Sequence, residues 1–231
     1  MKARRVKKLD PAGGFGENAA KIVKVRLREL QSFAPKALDP AESLHQHDMR
    51  IAAKRLRYVL EATGFCFGRA AATARRRAKE IQDLLGEVHD ADVMTPRLHE
   101  HRAVMRGEDA EAVLRRAVGD EDLDPALAGR APHRTAYRGL EVLEVYLLAR
   151  RTLLFDRFVD LWEECDRKGV WRALDRAADR ELERAAEMRK QKERADRARR
   201  ALAAAEQARR EAEELAAKAA AELAAAERSH S

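Results

Sequence analysis

From Arg172 to Arg228 the chain is built almost wholly of Ala, Arg, Glu, Lys and Asp, with leucine only at Leu174, Leu182, Leu202, Leu215 and Leu223. Alanine and the straight-chain charged residues are the strongest helix formers, so a long exposed helix over 172–228 is the expected state. The leucines keep no 3.5-residue spacing over several heptads, so a strong two-stranded coiled coil is not supported. A weak alanine-faced coiled-coil pairing and a solvated helix both stay open. The rest of the chain shares the helical bias: among 231 residues there are 11 Gly and 6 Pro, with 5% aromatic and 38% charged residues. An ordinary globular chain is about 25% charged. Collagen, disulfide scaffolds and turn-rich β-sandwiches need residues that are missing here, and the fold class expected is all-α.

Three parts follow. Residues 1–16 form a basic segment ending in the loop around Gly13, Gly14 and Gly16. Residues 17–168 show the periodicity of an antiparallel helical bundle. A first helix is expected over Glu17–Phe33 and a second over Ala41–Ala62, with Asp39 as N-cap and Pro40 at the first helical position. A third runs from Arg69 into the Asp90 to Val93 region and bends or restarts near Pro96. Shorter helices over Leu98–Met105 and Asp109–Val118 precede a loop from Gly119 to Pro125. A helix from Tyr137 to Cys165 carries the apolar stripe Leu140, Leu143, Leu147, Leu154, Phe158 and Leu161.

No stretch approaches the roughly 18 consecutive apolar residues that span a bilayer, so no membrane partner is expected. The basic start lacks the apolar segment of a secretory leader. The chain is expected in the cytoplasm, with Cys66 and Cys165 as buried reduced thiols.

The formal net charge is +7, from 47 Lys and Arg against 40 Asp and Glu. Its placement says more than its total. Residues 50–79 hold Arg50, Lys54, Arg55, Arg57, Arg69, Arg75, Arg76, Arg77 and Lys79 against the single acid Glu61, a net +8. At 100° per residue, His47, Arg50, Lys54, Arg57 and Tyr58 share a band about 100° wide. Met49, Ala52, Ala53, Leu56, Val59 and Leu60 take the opposite side. On the third helix Arg75, Lys79, Gln82, Gly86 and His89 share one face with Asp83 and Asp90. Arg forks match phosphate oxygens bidentately and Lys adds a point charge. A row of such groups suits an extended polyanion. Single-strand nucleic-acid binders interleave stacking aromatics, and Tyr58 is the one aromatic on the stripe, which favours a polyanion without bases over nucleic acid.

The motif His47-x-x-Arg50-x-x-x-Lys54-Arg55-Leu56-Arg57-Tyr58, followed about twenty residues later by Lys79-Glu-Ile-Gln-Asp-Leu-Leu-Gly-Glu-Val-His-Asp-Ala-Asp-Val93, resembles the CHAD family, the conserved-histidine α-helical domain. The resemblance covers roughly Glu17 to Cys165. It implies two four-helix units related by pseudo-symmetry and a basic surface that binds inorganic polyphosphate, with polyphosphate granules as a location within the cytoplasm. The binding residues it implies are His47, Arg50, Lys54, Arg55, Arg57 and Tyr58, with Arg75, Arg76, Lys79 and His89 beside them. A full member shows the histidine helix twice. Here His133 is followed by Arg134-Thr-Ala-Tyr-Arg-Gly-Leu, without the Lys-Arg-Leu-Arg-Tyr run, so one repeat is expected, and two chains are expected to pair as a homodimer that restores the missing half.

Other readings compete. His45 with His47 and His99 with His101 form His-x-His pairs, but residues two apart on a helix point about 200° apart, and no zinc spacing occurs. No metal or cofactor is therefore expected. His45, His99, His101, His133 and His230 are taken as surface or cap residues. Asp83, Asp90 and Asp92 beside His89 would suit a metal-dependent phosphohydrolase, yet carboxylates among arginines are more often ion-pair partners; no catalytic residue is assigned. A plain helical interaction module, with the stripe merely solvated, is the remaining alternative.

Overall fold

In the computed structural model, residues 2–229 are described, with side chains as far as residue 221. Helices account for 85% of the described residues, and there is no strand among them. The helices are α1 (Phe15–Ala37), α2 (Ser43–Thr63), α3 (Gly68–Arg116), α4 (Ala136–Arg167) and α5 (Val170–Ser229), with single 3₁₀ turns at Gly64–Cys66 and Pro125–Arg130. The chain divides into two compact units, residues 1–181 and 182–231.

In the first unit α1 packs on α2, α2 on α3 and α3 on α4. The core of the first three helices is Val23, Leu27 and Leu30 against Met49, Leu56 and Leu60 and against Ile81, Leu85 and Val88, all at most 2% exposed. Alanines at 52, 53, 71, 74 and 78 lie between them, buried as well. Small side chains at these positions let the helix axes approach closely, which holds α2 and α3 side by side along most of α2. A second cluster is built from Phe158, Leu161, Trp162 and Cys165 of α4 with Trp171, Leu174 and Ala178 of α5. There the Trp162 and Trp171 rings stack 5.6 Å apart. The compact unit thus takes in residues 172–181, whose composition matches the charged run that follows. Gly169, with φ of +66°, makes the left-handed turn between α4 and α5.

Several expectations are corrected. Asp39 does not cap α2, whose first residue is Ser43 and whose N-cap is Glu42. Asp39 closes a local turn instead: its carboxylate accepts from the Ala41 N–H, and its carbonyl accepts from the buried Gln46 side chain. The helix does not break at Pro96 or Gly107; α3 continues through both for 49 residues. Pairs to α4 brace it on either side of the proline: Glu87 with Arg150 and Asp92 with Arg151 before it, His99 and Arg102 with Glu144 after it. Tertiary packing outweighs the lost backbone bond. Cys165 is fully buried, but Cys66 is only half-buried. Burial pushes the Cys165 thiol up to about 11. The apolar stripe of α4 is covered only in its second half: Leu154, Phe158 and Leu161 are buried, while Leu143 is exposed.

The second unit is helical from Leu182 to Ser229. Leu202 and Leu215 are 62% and 68% exposed, so no apolar seam forms there among the described side chains.

Candidate anion-binding site

α2 buries Met49, Ala52, Ala53, Leu56 and Leu60, and a helix that commits one face to the core must present the other. His47, Arg50, Lys54, Arg57 and Tyr58 therefore remain on one accessible side, as the projection predicts. α3 runs antiparallel alongside: His47 meets His89, Arg50 lies against Gly86, and Arg57 reaches Gln82. Two elements far apart in sequence thus supply one face.

At its α2 N-terminal end the His47 and His89 rings lie 4.6 Å apart and tilted by 49°. With Ser43, Leu44, Asp92 and Val93 they line a hollow of about 320 Å³. Burial, then the neighbouring His89 and Arg50, push the His47 pKa below its usual 6.5, against the pull of Asp48. The imidazole is accordingly neutral near pH 7. His47 Nδ1 and Arg50 Nε are both buried and have no hydrogen-bond partner among the described residues. Buried polar groups are rarely left unsatisfied, and such exceptions call for an explanation, a ligand among them. A Cβ on Gly86 would meet nothing nearer than Arg50 Cδ at 3.9 Å, so the glycine is not demanded by close helix contact.

The fate of the net +8 segment separates its members. Arg55 leaves the face: it reaches back to Glu29 of α1, 3.1 Å away and 1% exposed, which Arg26 and the Arg4 N–H also hold. Arg77 is likewise structural, pairing with Glu80 and with Glu164 of α4. Arg57 is half-committed, donating to Gln82 at 3.1 Å and Glu61 at 2.7 Å while its guanidinium lies 4.3 Å from the Tyr58 ring centre. Lys54 approaches the same ring at 5.8 Å. Lys79 pairs with Asp83 at the surface, and Arg76 stands 3.9 Å from Glu80. Exposed pairs of this kind contribute little and yield to a competing anion. Arg50, Lys54, Arg69 and Arg75 make no ion pair among the described residues.

Arg57, Arg75, Arg76 and Lys79 line a second hollow of about 330 Å³ with Glu61 and Thr73. Sequence reasoning missed what adjoins it: Phe65 stacks on Phe15 at 5.5 Å, with the rings 12° from parallel. No sequence signal pairs residues fifty apart in a loop and a helix start. It also missed Glu29, because a lone acid on an amphipathic helix carries no mark of burial.

The remaining sequence candidates lie elsewhere. His45 binds Glu42, His99 binds Glu144, and His133 binds Glu108; His101 is exposed; His230 lies outside the described residues. Asp92 is held by Arg151, which also bonds Gln46 and the Pro40 carbonyl. Asp83 is held by Lys79. Among the described residues no three His, Cys, Asp or Glu side chains are grouped to hold a metal ion, and no helix is long and apolar enough to cross a membrane.

Residues 3–99 match the CHAD domain family. Over that segment the chain is similar to the CHAD family. The match begins in the basic N-terminal segment, takes in α1, α2 and the whole face just described, and stops within α3 just after Pro96. No curated protein and no solved structure matches the chain.

Proposed function

We propose that this CHAD-like domain binds inorganic polyphosphate, or a similar anion chain without bases, along the α2–α3 face, as a binding module and not a catalyst. The observation that carries the proposal is the row His47, Arg50, Lys54 and Arg75. Its cations have no acid partner among the described residues, and two of its buried nitrogens lack any hydrogen bond. Charge-assisted bonds to phosphate oxygens give the unpaired cations the partners they lack. The family is linked to polyphosphate, which supports the same reading. Of the acids a phosphohydrolase would use, Asp83 and Asp92 are engaged by Lys79 and Arg151, while Asp90 is exposed. The cytoplasm, where polyphosphate granules form, is the proposed location.

The test is a competition titration of long-chain polyphosphate against DNA of equal charge. A polyphosphate site prefers the former, whereas a merely cationic surface follows charge alone with a steep salt dependence. Replacing Arg50, Lys54 and Arg57 together with Ala weakens polyphosphate binding by orders of magnitude with helicity intact, since each charge-assisted contact contributes roughly 1.5 to 3 kcal/mol. Equal affinity for both polymers, or unchanged binding in the triple variant, rejects the proposal. Release of phosphate on incubation with a divalent metal would reject the non-catalytic part of it.

A homodimer is the second element of the proposal. Val142, Val145 and Tyr146 of α4, at helical spacing, are 64%, 67% and 58% exposed, and Leu153 is 52% exposed. Contiguous apolar exposure of this kind marks an interaction surface, and a second copy of the chain would bring a second basic face with it.

A further inference from the structure

The cationic hollow on the α2–α3 face does not end at its arginines. Glu61, Ala72 and Arg75 form part of its wall and, at the same time, part of the wall of a neighbouring hollow of about 330 Å³ that Phe65 also lines. Phe65 sits in the 3₁₀ turn between α2 and α3, and its ring lies nearly parallel to that of Phe15 at the first residue of α1. Both rings are open to solvent: Phe65 is 78% exposed and Phe15 59%. A stacked phenylalanine pair held at the surface leaves an outer aromatic face with nothing on it. Four cations, one of them unpaired, line the adjoining hollow.

Each half of this arrangement selects a chemistry. Arg75, Arg76, Arg57 and Lys79 supply fork and point charges for phosphate oxygens. An exposed aromatic ring offers a platform for the π-face of a base, and such stacking tolerates any base. Together the two hollows reach the size range in which small ligands are held. A bare phosphate chain would use the cations and leave the rings idle. Glu61, on the shared wall, repels a phosphate placed over it but accepts hydrogen bonds from a base's amino group or a ribose hydroxyl, which are donors. The acid therefore falls where the non-phosphate part of a nucleotide would lie.

We propose that the Phe65 end of the face is a nucleobase subsite, so that this chain binds nucleoside polyphosphates with the phosphates on Arg75, Arg76 and Lys79 and the base on Phe65. The phosphate half rests on the proposed anion-binding function; the base half rests on the aromatic pair and on Glu61 beside it.

Calorimetric titration of the full chain with ATP and with inorganic tripolyphosphate, both free of magnesium and at fixed ionic strength, tests the proposal. Wild type binds ATP more tightly than tripolyphosphate despite the lower charge of ATP. Phe65→Ala weakens ATP binding at least fivefold and changes tripolyphosphate binding less than twofold, while Phe65→Trp retains the ATP preference. The ring is mostly exposed, so the variants keep the wild-type helicity by circular dichroism. Equal affinity of wild type for the two ligands, or a Phe65→Ala variant that loses both or neither, overturns the subsite and leaves the anion face standing. Binding of neither ligand overturns the subsite, and the anion face with it where long-chain polyphosphate also fails to bind. Phe65-dependent binding of ATP with none of tripolyphosphate or long polyphosphate keeps the subsite and rejects the base-free reading of the face.

Discussion

Arg50 and Arg55 stand five residues apart on α2 and serve opposite ends. Arg50 faces α3 with its Nε buried and unsatisfied, whereas Arg55 completes the cage around the buried Glu29 carboxylate. Arg55→Ala removes one of that carboxylate's charged partners and leaves Arg26 in place, so we expect a stability loss of about 1.5 to 3 kcal/mol by denaturant unfolding, with polyphosphate affinity within about twofold of wild type. Arg50→Ala does the reverse. The resemblance that groups the two residues by motif is resolved here by helical angle, because position 55 lies outside the band that holds 47, 50, 54 and 57. His47 adds a pH dependence. Its folded-state pKa lies below 6.5, lowered by burial, His89 and Arg50. In the unliganded protein its contribution to stability is thus present above pH 6.5 and lost as pH falls through the lower, folded-state value. A bound polyanion favours the imidazolium and raises that pKa, so binding takes up a proton. With His89, Arg50, Asp48 and Asp92 around it, His47 should make polyphosphate affinity rise on going from about pH 8 to about pH 6, by at most roughly tenfold per pH unit for one proton. Titrations at several pH values check this; His47→Gln flattens the dependence, and an unchanged slope in that variant removes His47 from the site.

At the scale of elements, α3 departs furthest from what local rules suggest. Proline inside a helix removes a backbone bond and costs about 3 kcal/mol, which is why a break near Pro96 is the natural expectation. The break is overruled by α4, whose Arg150, Arg151 and Glu144 grip α3 on both sides of Pro96. Those partners are more than forty residues away in sequence, beyond the reach of any local pattern. Because Pro96 is exposed and its neighbours are helical, Pro96→Ala should raise stability by about 1 to 3 kcal/mol without shifting anion affinity, as thermal unfolding and titration would show. By contrast α2 was legible almost in full. Its apolar side and its cationic side both follow from 3.6-residue periodicity, and only its start moved, from Ala41 to Ser43. That shift has a local cause: the Asp39 carboxylate is used up in a turn with the Ala41 N–H.

For the molecule as a whole, the exposed stripe of α4 bears on the proposed pairing. Val142, Val145, Tyr146 and Leu153 carry apolar surface that the first unit does not bury. We expect a dimer by sedimentation at micromolar concentration, and a monomer for Val145→Lys, since a charge at that point cannot be desolvated unpaired. A wild-type monomer that still binds polyphosphate tightly rejects the pairing. The sequence by itself determined the all-α class, the long charged helix and the cationic side of α2, because each depends on composition or on spacing within one helix. Only the tertiary structure decided which cations are tied to acids and which stay unpaired. Arg55 and Arg77 found acids on α1 and α4, Arg50 and Arg75 found none, and Phe65 came to rest on Phe15. Such pairings are set by how helices approach one another across the core, and nothing in the local sequence encodes that distance.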